Sequence, residues 1–153
     1  MGEKSCFFIG HREADERLLP DLLRCVERLI NEEGVAFFYV GNHGGFDRVA
    51  ATAVKKVREK YTGITLMMVL SYHPGEHAVE LPPGFDGLYY PTGLEKVPKR
   101  FAIVRANKLM VDSCEWLVAY VHHGASNSRN LLEYAEKRSM KGLIRIERLK
   151  QEQ

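Results

Sequence analysis

Long apolar runs are missing from this 153-residue chain: the longest are about half of the ~20 residues that a membrane-spanning helix needs, so no such span is expected. The opening Met1-Gly2-Glu3-Lys4 has no apolar stretch with a cleavage site behind it, which argues against a secretory leader. Cys6 stands where a myristoylation motif wants Ser or Thr. Cysteine is scarce, and the three present (Cys6, Cys25, Cys114) are odd in number and far apart, which excludes a disulfide framework and suits buried thiols in the cytoplasm. Neither sign of charge dominates: 22 Lys+Arg face 20 Asp+Glu, a formal +2, which argues against a nucleic-acid partner. What the chain does have is a 45% hydrophobic share, enough for a packed core, and a length that fits one domain.

Short apolar runs alternate with amphipathic segments from end to end. Strands are expected at Ser5–Ile9, Val35–Val40, Ile64–Leu70, Leu88–Tyr90, Trp116–Val121 and Leu143–Ile146. Leu18, Leu19, Leu22, Leu23, Val26, Leu29 and Ile30 recur at helical spacing, with Pro20 in the first turn and Gly34 as a stop. Further helices are expected at about Asp47–Tyr61, Pro98–Asp112 and Asn127–Met140, and a charged, exposed tail from Glu147. Residues 71–98 differ, with five of the six prolines and four glycines, and carry only one short strand. The alternation predicts a three-layer αβα sandwich, Rossmann-like, around a mostly parallel sheet. Its core should span about residues 5–146. Ligands of such sheets bind beyond the C-terminal strand ends, where the strand order switches.

Three loops at those ends hold the candidate site. Gly10-His11-Arg12 follows the first strand; glycine permits close approach, and the guanidinium fork suits a phosphate or carboxylate. Gly44-Gly45-Phe46-Asp47 leads from the second strand into a helix, exposing amides to an anion, with Asp47 as a cap or a partner for ribose hydroxyls. Gly124-Ala125-Ser126 forms a third such loop before the last helix. If the sheet is parallel, all three open on one crevice suited to a phosphorylated, ribose-bearing molecule. Arg105 could add a further phosphate contact, its alternative being a solvated helical charge. Tyr72, Tyr89, Tyr90 and Tyr120 are either base-stacking groups or core. Five of six histidines also lie near strand ends, but no metal-ligand spacing accompanies them, so no metal is expected.

The order of these motifs, with Ala50-Ala51, Arg105-Ala106-Asn107 through Asp112, and Tyr134-Ala135, resembles the SLOG superfamily, in particular its small stand-alone bacterial, YpsA-like branch. That superfamily includes the lonely-guy phosphoribohydrolases and the DNA-processing protein of bacterial transformation. The resemblance implies a nucleotide or a nucleotide-derived ligand, such as an NAD or ADP-ribose relative, held by the three loops and Arg105. By analogy with small Rossmann-like proteins a homodimer is expected. Lonely-guy enzymes carry Pro-Gly-Gly-x-Gly-Thr-x-x-Glu, whereas here His123-Gly124-Ala125-Ser126 stands, and Arg129 replaces the glutamate. Cleaving an N-glycosidic bond needs a carboxylate near the sugar. Asp47 and Glu133 are the remaining catalytic candidates for that hydrolase alternative, and single-stranded DNA binding is a further one.

Overall fold

The computed structural model describes residues 3–122 and 127–150. Six strands form one sheet: β1 (Lys4–Gly10), β2 (Val35–Val40), β3 (Thr65–Val69), β4 (Gly87–Tyr89), β5 (Trp116–Tyr120) and β6 (Arg145–Arg148). Their order is β4-β3-β2-β1-β5-β6, and every neighbouring pair is parallel. Four helices accompany them: α1 (Leu19–Asn31), α2 (Gly45–Val57), α3 (Ala102–Ser113) and α4 (Asn127–Met140). The fold is therefore α/β and Rossmann-like.

Side-chain alternation along the strands divides the interior in two. Cys6 and Phe8 of β1, with Phe38, Val40, Leu66 and Val118, pack against the apolar faces of α1 and α2. Phe7 and Ile9, with Val69, Leu117 and Ala119, pack against α3 and α4. In α1, Leu22, Cys25, Val26 and Leu29 are buried at the i, i+3, i+4, i+7 spacing of a single stripe. Gly34, at φ +77°, then turns the chain out of the helix. Both faces of the central strands are covered, which is why their sequences read as unbroken apolar runs.

Several boundaries differ from expectation; helix α2, for one, ends at Val57 and passes into a 3-10 turn at Arg58–Lys60 rather than running to Tyr61. Helix α2 begins at Gly45 rather than Asp47, because the glycines belong to its first turn. Helix α3 is preceded by a single 3-10 turn at Lys99–Phe101. The last strand lies two residues later than expected. Gly142, at φ +75°, closes the turn after α4, Ile144 drops into the core, and pairing with β5 starts at Arg145. Glu147 and Arg148 thus belong to an edge strand rather than to a free tail. They are held by ion pairs with Arg28 and Glu136 respectively.

From β1 the chain steps outward through β2, β3 and β4, then returns to place β5 on the other side of β1. The order reverses between β1 and β5, so their C-terminal ends mark the crevice such sheets use. Among the described residues, no helix is long and apolar enough to cross a membrane.

All three cysteines are free and buried. Burial pushes the Cys25 and Cys114 thiols up to about 12 and raises Cys6 as well. A native sample is therefore expected to resist alkylation at pH 8, with all three thiols reacting once it is unfolded in denaturant. Labelling of Cys6 within minutes in the native state would show that the core opens far more readily than this packing allows.

Candidate functional site

The first link is a contact between two loops. The amide of Gly45, the first residue of α2, donates to the carbonyl of Arg12 at 2.8 Å. No side chain fits there: a Cβ on Gly45 would lie 1.9 Å from the Ala14 carbonyl oxygen and 2.6 Å from that of Arg12. Gly44 passes similarly close, its would-be Cβ 2.9 Å from the Arg12 Cα. Gly10 carries no side chain because the Phe46 ring occupies that space, 2.3 Å from where a Cβ would sit. The glycines of the two loops therefore serve close packing of loop against loop. Once packed, they set Arg12 and the start of α2 side by side.

This pairing also consumes part of the anion cradle. A helix start leaves four amides without an internal partner, here those of Gly44 to Asp47, and of these Gly45 donates to Arg12. That leaves Gly44, Phe46 and Asp47 as the amides to which the helix offers no internal partner. The Asp47 carboxylate reaches back to accept at 3.0 Å from the amide of His43, the residue before the cap Gly44.

A cleft of ≈ 220 Å³ opens beside this junction, lined by Gly10, Arg12, His43, Gly44 and Asp47 on one side. Its other wall comes from Arg100 and Asn107 around α3 and from Asn127 and Ser128 at the start of α4. Ser128 ties that wall to the strand end by donating to the Gly10 carbonyl at 3.2 Å. Arg12 and Arg100 are both exposed, and among the described residues no carboxylate pairs with either. Arg100 stands in the turn before α3, a helix with no acidic residue in its first turn. A cation there opposes the helix dipole and favours an anionic visitor.

Titration in the cleft is shifted. Desolvation pushes the Asp47 carboxyl up to about 6, the His43 amide and Arg48 opposing only in part. His43 is held below its usual value, first by desolvation and then by Arg12, and its Nε2 lies 3.4 Å from the Ser71 hydroxyl. Perturbed groups converging in a cleft are a recognised mark of function.

The sequence-derived candidates separate into distinct places. Gly10, Arg12, Gly44 and Asp47 line the cleft, and Gly45 is buried and not part of its lining. His11 is only 4% exposed and sits behind the cleft. Its Nε2 accepts from the His122 amide at 3.0 Å, and its ring lies edge-on to those of Tyr120 and His122. It joins the ends of β1 and β5. Arg105 is exposed on α3 and is not part of the cleft wall. Glu133 lines a different cavity, between α3 and α4, with Lys108, Tyr134 and Lys137. Gly124, Ala125 and Ser126 lie outside the described residues. Tyr120 stacks on Phe46, and Tyr89 meets Tyr39 edge-on. Among the described residues no three His, Cys, Asp or Glu side chains are grouped to hold a metal ion. Arg100 was not foreseen, although two cations ahead of a helix, Lys99-Arg100, were a readable signal.

No family model matches the chain, and no curated protein matches it. Among solved structures, the Moco carrier protein of Chlamydomonas rheinhardtii is similar, with a TM-score of 0.51 and 15% identity over 95% of this chain and 89% of that one. The likeness is one of fold.

Two substitutions test this geometry. Gly45→Ala should cost roughly 1–3 kcal/mol from forced overpacking, several degrees in melting temperature for a chain of this size; an unchanged melting temperature would mean the loops do not meet. Asp47→Asn tests the carboxyl. Its folded-state value is raised from 3.8 to about 6, so its stabilising contribution is complete below pH 3.8 and lost as pH rises through 6. The melting temperature of Asp47→Asn relative to wild type should therefore climb between pH 4 and pH 7. A difference independent of pH would contradict the desolvated carboxyl.

Proposed function

We propose that the cleft binds a small phosphorylated, ribose-bearing molecule: a nucleotide or a nucleotide derivative such as an ADP-ribose or NAD relative. The observation that supports this most is the meeting of two exposed guanidinium groups, Arg12 and Arg100, with the desolvated Asp47 carboxyl at the strand-order switch. Guanidinium forks match phosphate oxygens in pairs, and the charge-assisted bonds are about twice as strong as neutral ones. A carboxylate repels phosphate but accepts from hydroxyls, so Asp47 takes the sugar and the arginines take the phosphate. The Chlamydomonas neighbour is by name a Moco carrier, and a fold shared with a carrier agrees with a site that holds a small ligand.

One observation favours a second reading, hydrolysis of the N-glycosidic bond. A carboxyl near 6 inside the cleft is suited to donate and accept protons at working pH. Free base released from a nucleoside monophosphate, and lost in Asp47→Asn, would establish it. Intact nucleotide after prolonged incubation would leave binding alone.

Calorimetric titration with ADP-ribose tests the binding reading. Arg12→Ala should weaken affinity about tenfold or more, from the loss of ~1.5–3 kcal/mol of charge-assisted hydrogen bonding. Its melting temperature should stay put, because the side chain is exposed. Affinity should also fall as pH drops through 6 and Asp47 gains its proton, and Asp47→Asn should flatten that dependence. The pyrophosphate of ADP-ribose does not titrate in this range, so the slope reports the protein. No heat of binding, or full affinity in Arg12→Ala, would refute the assignment.

A further inference from the structure

Parallel neighbours are usually joined through a helix, but the crossover from β3 to β4 has none. Residues 70–86 run instead as irregular chain, longer than the ~12–15 residues beyond which such loops are uncommon and usually functional. Together with the segment after β4, this chain walls a second cavity, ≈ 390 Å³, at the C-terminal ends of β3 and β4. It opens on the same sheet edge as the cleft. The partition between them is thin: His43 lines the cleft, Ser71 lines the cavity, and their side chains are 3.4 Å apart.

The walls of this cavity are aromatic and its rim is acidic. Buried Leu94 forms part of an apolar floor, and Tyr72 and Tyr90 stand on the sides, each partly exposed. His73 meets Tyr90 edge-on, ring centroids 5.4 Å apart. The His73 ring is fixed by the Gly75 amide, which donates to its Nδ1 at 2.9 Å. Glu76, Glu95 and Lys99 complete the rim, and the two carboxylates lie close enough to Tyr90 to raise its phenol, after desolvation. Glu76 pairs with Lys99 at 3.4 Å, whereas Glu95 has no ion pair among the described residues.

We infer that this compartment receives the flat heterocycle of the ligand whose phosphate lies in the cleft, and that its acidic rim selects rings bearing an exocyclic amino group; the inference rests on the nucleotide reading above. Size supports the division. The cleft, at ≈ 220 Å³, is smaller than the ~300–1,000 Å³ of whole small-molecule sites, and the added compartment brings the pair into that range. Chemistry supports it as well, since aromatic side chains stack on any base, while a carboxylate accepts from an amino group and repels a carbonyl oxygen. Adenine offers this rim its exocyclic amino group, whereas hypoxanthine places a carbonyl oxygen there and keeps only its ring N1–H as a donor.

Titration calorimetry with ribose 5-phosphate, AMP and IMP tests it in wild type, Tyr90→Leu and Glu95→Gln. Wild type is expected to bind AMP more tightly than either of the others. Tyr90→Leu should weaken AMP about tenfold, the size of one lost base–aromatic stack, and leave ribose 5-phosphate unchanged. Exposed Glu95 guards against a folding artefact: Glu95→Gln should narrow the gap between AMP and IMP without touching the melting temperature. If AMP binds no better than ribose 5-phosphate, or if both variants keep the wild-type ratios, the compartment is not the base site and the cleft assignment survives alone. If neither AMP nor ribose 5-phosphate binds wild type, the nucleotide reading falls and this inference falls with it.

Discussion

A backbone contact with no room for a side chain governs the geometry of this protein's cleft. The Gly45 amide meets the Arg12 carbonyl at 2.8 Å, and the Phe46 ring fills the space above Gly10. These contacts lock the loop after β1 to the start of α2, and everything with chemistry follows from that lock. Arg12 is carried to the rim, His43 and Asp47 turn toward the same space, and the cleft opens where the strand order reverses. A larger residue at either position would separate the loops and scatter the charges.

The cleft keeps several groups in states that do not favour folding. Asp47 is desolvated without a strong cation to compensate, and Arg100 stands at the positive end of a helix. Two arginines remain without carboxylate partners among the described residues. Each is a small cost that an anionic, hydroxyl-bearing ligand would offset. Such local conflicts, in a chain whose strands and helices are otherwise consistent, are where function is expected to lie.

Much of the architecture was legible because it rests on periodicity. The stripe Leu22, Cys25, Val26, Leu29 gave α1, and the unbroken run Val35–Val40 gave a strand covered on both faces. The crevice followed from a parallel sheet alone. Less legible was what depends on contacts between distant segments. Gly44 and Gly45 read as an anion cradle, and their closeness to Arg12 and Ala14 emerges only when the loops meet. His11 read as a ligand-facing group, yet the aromatic rings at the end of β5 bury it. Arg105 and Arg100 look interchangeable in one dimension, and only the phase of the helix and its preceding turn decides which borders the cleft. Residues 71–98 read as irregular, but no pattern along them foretold that Ser71 would come to lie against His43.

The most direct test is a crystal structure of the protein grown or soaked with AMP. The account requires phosphate oxygens within hydrogen-bonding distance of the Arg12 guanidinium and ribose hydroxyls facing Asp47. Density for the nucleotide elsewhere on the surface, with the space between Arg12 and Asn107 holding only solvent at saturating ligand, would contradict it.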